Sequence, residues 1–177
     1  MPDLIRLTYI SKCNFKQTSD ASGIEPTVAR ILLHSRLNNP KKKIGGVLYF
    51  GNGYFFQCLE GEADVVNELI TKIITDKRHS DVNIRKVMPI SRRVFSNWSM
   101  KYISLESQVN DLLERHKMKS FNPYKFSEEL TEDLIELFVN ISDPQSKPDQ
   151  NYVDQPEAEK GLLQKIKSFF GFSSKSA

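Results

Sequence analysis

Two cysteines, three histidines, one tryptophan, eight prolines and eight glycines are all that the 177 residues hold of those types, and each shortage removes a class of protein. Cys13 and Cys58 are too few and too irregularly placed for a disulfide framework or a zinc site, so both are read as reduced thiols. His34, His79 and His116 are scattered. No Ser-His-Asp set, paired-carboxylate cleft or metal cluster has credible spacing, so no turnover is expected. No apolar run approaches the roughly 20 residues of a spanning helix. The start, Met1-Pro2-Asp3-Leu4-Ile5-Arg6, has neither the basic nor the apolar region of a secretion signal, which points to a cytoplasmic chain. A Gly-x-Gly-x-x-Gly turn is also missing, so any dinucleotide would be gripped by its ring system and not by a phosphate loop. The net charge of +3 is mild and mixed along the chain, and no nucleic-acid partner is expected.

What is present suffices for one globular domain with extensions: 39% of residues are hydrophobic and 27% charged. The most apolar stretch, residues 44–61, contains a glutamine, Gln57. Strand alternation puts Gln57 on the same face as Phe55 and Leu59, where the pattern demands hydrocarbon. A buried amide without partners costs about 1 to 3 kcal/mol, so a polar group must lie opposite it.

The hydrophobic period alternates along the first hundred residues. Residues 4–10 read as a strand with Ile5, Leu7 and Tyr9 on one face; residues 26–38 read as a helix with Val28, Ile31, Leu32 and Ser35 inward, Asn39 extending that stripe and Asn39-Pro40 marking the stop. Strands at 44–51 and 54–60 are joined by the turn around Gly51-Asn52-Gly53. A second helix at 62–75 carries Val65, Val66, Leu69, Ile70, Ile73 and Ile74, and strands near 82–90 and 98–105 complete the order. The expected fold is α+β: a ferredoxin-like sandwich with a five-stranded mixed sheet, two helices on one face and two C-terminal helices on the other. Tyr9, Gln57, Ser35 and Asn39 all sit on stripes that require burial, which suits a flat, mostly apolar ligand with a polar edge slotted between the helices.

Tyr9-Ile10-Ser11, Asn38-Asn39, Phe55-Phe56-Gln57-Cys58-Leu59-Glu60-Gly61, Asp76-Lys77-Arg78-His79 and Asn97-Trp98-Ser99-Met100 occur in one order and spacing. Together they resemble BLUF domains, the blue-light sensors that use FAD, over residues 4 to about 104. The resemblance implies non-covalently bound FAD, with FMN as the alternative flavin. It implies that Tyr9 gives an electron and then a proton to the light-excited flavin with Gln57 as the bridge, and that Gln57 ends rotated or tautomerised. By the same resemblance Asn39 holds the pyrimidine edge with Asn38 beside it, Ser35 lines that edge, and Phe55 flanks the ring. Arg78 and His79, expected at the end of the second helix, lie near the ribityl and phosphate part. Trp98 and Met100 alternate onto one face of the last strand, so that one or both face the flavin, Met100 as a cofactor-binding residue, and they carry the switch outward.

Residues 1–104 are thus read as the flavin-binding domain and 105–141 as a helical cap, with Val109, Leu112 and Leu113, then Leu130, Leu134, Ile135, Leu137 and Phe138, at helical spacing. Residues 142–158, with Pro144, Pro148 and Pro156, read as a linker. Residues 159–177 form a basic amphipathic tail that could meet a partner, another subunit or a membrane surface. The downstream protein is not written in the chain, and a homo-oligomer is left open. Two other readings compete: a ferredoxin-like hydrolase using Asn39 and Arg78 around an anion, and a cofactor-free interaction module in which Gln57 fixes strand register.

Overall fold

The structure, a computed structural model, describes residues 3–18, 24–95, 101–102 and 106–142. Strands β1 (Leu4–Cys13), β2 (Gly45–Gly51), β3 (Tyr54–Glu62) and β4 (His79–Pro89) form an antiparallel sheet in the order β4-β1-β3-β2. A two-residue segment, β5 (Lys101–Tyr102), pairs in parallel with Val47 and Leu48 of β2. Of the strand expected over 98–105, the described residues show this short pairing; Trp98 and Met100 lie outside them, as do the expected tail and all of the linker expected over 142–158 except Ser142, which closes the last described helix.

Helix α1 (Pro26–Asn38) carries the chain from β1 across β3 to β2, and α2 (Ala63–Thr75) carries it from β3 across β1 to β4. These two crossovers put the β1–β3 ladder beneath the seam between the helices. The α1 start is specified locally: Pro26 fixes the first turn, and the Glu25 carboxylate accepts from the backbone N–H of Thr27 at 2.8 Å and Val28 at 3.0 Å. Asn39 caps the helix without ending the coiling. Its backbone stays helical (φ −62°, ψ −39°), a short 3₁₀ turn over Pro40–Lys42 follows, and Lys43 at φ 53° breaks it. The β2–β3 hairpin closes on two residues, Asn52 at φ 51° and Gly53 at φ 80°, flanked by the pair Gly51 and Tyr54. Positive φ at both central positions is what a type I′ turn requires, and Asn-Gly supplies it at low cost.

The alternating pattern of the strands separates two cores. Under α1 and α2 lie Ile5, Leu7, Tyr9, Leu48, Phe55 and Leu59 with Val28, Leu32, Val66 and Ile70. On the back of the sheet, Ile10, Val47, Tyr49, Phe56 and Cys58 pack against α3 (Glu106–Arg115) and α4 (Glu128–Ser142) through Val109, Leu112, Leu134 and Phe138. Each fully buried Leu, Ile or Phe contributes on the order of 1.5–3 kcal/mol by leaving water, so the C-terminal helices are an integral half of the sandwich. Two expected boundaries move. β1 runs to Cys13 and β4 begins at His79, because Lys12 pairs with Ser80 and Cys13 with His79. His79 is therefore a strand residue and not the end of α2. Among the described residues, no helix is long and apolar enough to cross a membrane, and no cluster of His, Cys, Asp and Glu could hold a metal ion.

Candidate functional site

Tyr9 and Gln57 are register partners on β1 and β3, and both point to the helix side of the sheet. Antiparallel pairing alone thus sets phenol against amide, and the Tyr9 hydroxyl donates to Oε1 of Gln57. The pair is dry: Tyr9 is 0% exposed and Gln57 3%. Burial, with a smaller contribution from the Asp76 carboxylate and an opposing one from Arg78, pushes the phenol well above its ordinary pKa, so Tyr9 keeps its proton at any working pH. The β1–β4 register shifts between Thr8 and Tyr9 and again between Ile10 and Lys12. Irregularities of this kind re-aim side chains, and here they bracket Tyr9.

One end of the site is aromatic. His79 is 7% exposed, its ring centroid lies 4.5 Å from Phe55 and 6.4 Å from Tyr9, and Phe50 stands 4.7 Å from Phe55. Burial, with some help from Arg78 and opposition from Asp76, lowers the His79 pKa to about 4, so the imidazole is neutral at pH 7. Its Nδ1 lies 2.9 Å from Oγ of Ser11, which is itself fully buried. Ser11 belongs to the tyrosine motif, and its place two residues beyond Tyr9, on the same strand face, is the signal in the sequence that it joins the site.

Arg78 does not reach out as an open cation. Its guanidinium bonds the Asp76 carboxylate, Nε to Oδ1 at 3.0 Å and Nη2 to Oδ2 at 2.5 Å, and its backbone N–H also donates to Oδ1 at 2.9 Å. Asp76 is lowered and Arg78 raised from their ordinary pKa values, chiefly by that bonding. Asn39 is 4% exposed, and its backbone is fully engaged: N–H to Ser35 O at 2.8 Å, and carbonyl to the N–H of Lys42 at 3.0 Å and Ile44 at 2.9 Å. Ser35, one turn earlier, is half-buried. Asn38 is exposed, and its side-chain N–H donates to the carbonyl of His34 at 2.9 Å. One residue is a 100° step on a helix, so Asn39 falls on the inward stripe and Asn38 on its exposed flank.

A sheet buries phenol, amide, hydroxyl and imidazole where hydrocarbon is expected, all beneath the seam of two helices. The class so defined is an α+β sandwich built around an internal polar site. The chain belongs to the BLUF family: the model described as "Sensors of blue-light using FAD" matches residues 4–101. A photoactivated adenylate cyclase subunit beta-like protein of Euglena gracilis is 38% identical over 99 residues, which are 55% of this chain and 11% of that protein. The chain thus spans about a tenth of the length of that relative. Among solved structures, the photo-activated state of BlsA is 31% identical with a TM-score of 0.68, over 77% of this chain and 94% of that one. The BlsA ground state is 28% identical with a TM-score of 0.69, over 88% and 97%. These likenesses cover more of the chain than the family match, which ends at residue 101.

Proposed function

We propose that the chain senses blue light through FAD seated between α1 and α2, with the Tyr9–Gln57 pair as its switch and with signalling by protein contact. The single observation that carries this reading is the hydrogen bond between two buried register partners, a phenol that keeps its proton and an amide with both donor and acceptor. The residues fit an isoalloxazine: aromatic and aliphatic walls, with amide, hydroxyl and imidazole groups to meet a polar edge. Bound FAD would supply the absorption of blue light and the capacity to take up an electron. Tyr9 is the donor of electron and proton, its Oη proton leaving toward Oε1 of Gln57. When both return, Gln57 is left rotated or tautomerised, so donor and acceptor exchange places at the end of the same side chain. Asn39 and Ser35 hold the polar edge of the ring, and Phe55 and His79 close one end. Trp98 and Met100 remain candidates for carrying the change outward. Residues 105–141 act as the relay, because α3 and α4 cover the opposite face of the strands that bear the switch.

The hydrolase reading lacks support. Arg78, the cation it needs, is already engaged by Asp76. Absorption spectroscopy tests the proposal: the purified protein should be yellow, with a flavin band that moves to the red under blue light and returns in darkness. A colourless protein that takes up neither FAD nor FMN sinks it.

A further inference from the structure

Gln57 and Glu60 share β3 but face opposite ways, and Glu60 is a buried carboxylate that the light-sensing chemistry does not use. Its side chain is 0% exposed. One oxygen, Oε1, is held by Arg6 through Nε at 2.7 Å and Nη2 at 2.6 Å, and the other, Oε2, accepts the backbone N–H of Phe95 at 2.8 Å. Arg6 is the register partner of Glu60 on β1, and its guanidinium carbon stands 5.4 Å from the centre of the Phe95 ring. Gly45, the partner of Glu60 on β2, completes the dock: a Cβ there would stand 2.1 Å from the Phe95 carbonyl oxygen. Three adjacent strands thus each give one residue to hold Phe95. Its ring in turn belongs to the cluster formed with Val109, Leu112 and Leu134 of the C-terminal helices.

A carboxylate on a strand of this kind is costly to bury without partners, and removing Arg6 would leave its charge unpaired. The two oxygens are used for two different things, charge pairing within the sheet and capture of a loop backbone. We infer that Glu60, with Arg6 and Gly45, is a positioning device that docks Phe95 onto the strand carrying Gln57, so that displacement of β3 reaches the α3–α4 cluster through Phe95. The docking itself is independent of flavin; its use as a relay rests on the light-switch reading above.

Hydrogen–deuterium exchange on the full chain, in darkness and without added flavin, tests the dock. Wild-type Phe95 N–H should exchange with the slow amides of the sheet. Glu60→Gln keeps the volume but offers one acceptor oxygen in place of two, so its NH₂ must face either Arg6 or the Phe95 N–H. Gly45→Ala expels the Phe95 carbonyl sterically and leaves the charges alone. Both should raise exchange at Phe95 by about tenfold or more, with Leu7 and Leu59 little changed. Wild-type Phe95 exchanging as fast as an open loop overturns the dock, and so does an unchanged Phe95 in the folded variants or an equal rise throughout the sheet. Should neither variant fold, the wild-type rate decides. In the FAD-loaded protein, blue light should alter exchange in α3 and α4 of the wild type and much less in Glu60→Gln; an undiminished response there overturns the relay. A wild type that takes up no flavin would defeat the light-switch reading while the dark experiment still decides the dock.

Discussion

Tyr9 and Gln57 face each other because they occupy the same rung of the β1–β3 ladder, so their hydrogen bond is set by strand register and not by a flexible loop. The donor–acceptor polarity is defined as well, phenol to carbonyl oxygen, in a site that excludes water.

Tyr9→Phe removes the hydroxyl and keeps the ring. Flavin uptake should persist, and the light-minus-dark spectrum should be flat. Without flavin, Gln57 loses the hydrogen bond from the Tyr9 hydroxyl, so chemical denaturation should show a loss of about 0.5 to 1.5 kcal/mol. A retained red shift would show that another residue supplies the proton.

Gln57→Leu should also abolish the shift, with a different stability signature. The stranded phenol costs energy, but the new side chain buries more hydrocarbon beside Phe55 and Leu59. The two effects offset, and unfolding free energy without flavin should change by less than about 1 kcal/mol.

His79 predicts a pH dependence of stability. In the fold it takes up a proton only near pH 4, against 6.5 as the ordinary value. Between those limits the unfolded chain binds more protons than the folded one, so stability falls as pH falls, by at most about 1.4 kcal/mol per unit, and flattens below. Denaturation from pH 7 to 5 should show a steeper loss in wild type than in His79→Leu. Equal slopes would mean that His79 is not held neutral.

Phe138 is fully buried between Tyr49, at 6.2 Å, and Phe56, at 5.8 Å. Phe138→Ala should cost about 3 to 5 kcal/mol, read as a lowered Tm. A loss below about 1 kcal/mol would mean that the C-terminal helix is not part of the cooperative fold.

Much of this was legible in the sequence because period reports burial. Alternation put Tyr9 and Gln57 on the helix side, and the 3.6 period found α1 and α2 within a residue at each end and the apolar stripes of α3 and α4. What period does not report is pairing between distant strands or the effect of a single helical step. Asp76-Lys77-Arg78 is polar enough to read as a solvated helix end, which hides His79 as the first residue of β4; only pairing with the distant Cys13 reveals it. Asn38 and Asn39 are chemically identical, and one helical step separates an exposed amide from a buried one. Glu60 and Arg6 each look like surface charges, since neither shows its partner until strands 54 residues apart are laid side by side.

The Asn52–Gly53 turn has a consequence for evolution and engineering alike. Because side chains alternate with period two, the length of this turn sets the parity of β3 relative to β2. One residue inserted there without compensation would invert that parity, offering Phe56 and Cys58 to the helix side and turning Gln57 toward α3 and α4. The same composition and nearly the same fold would then carry no phenol–amide pair, so the turn is an address for the chromophore, written two residues long.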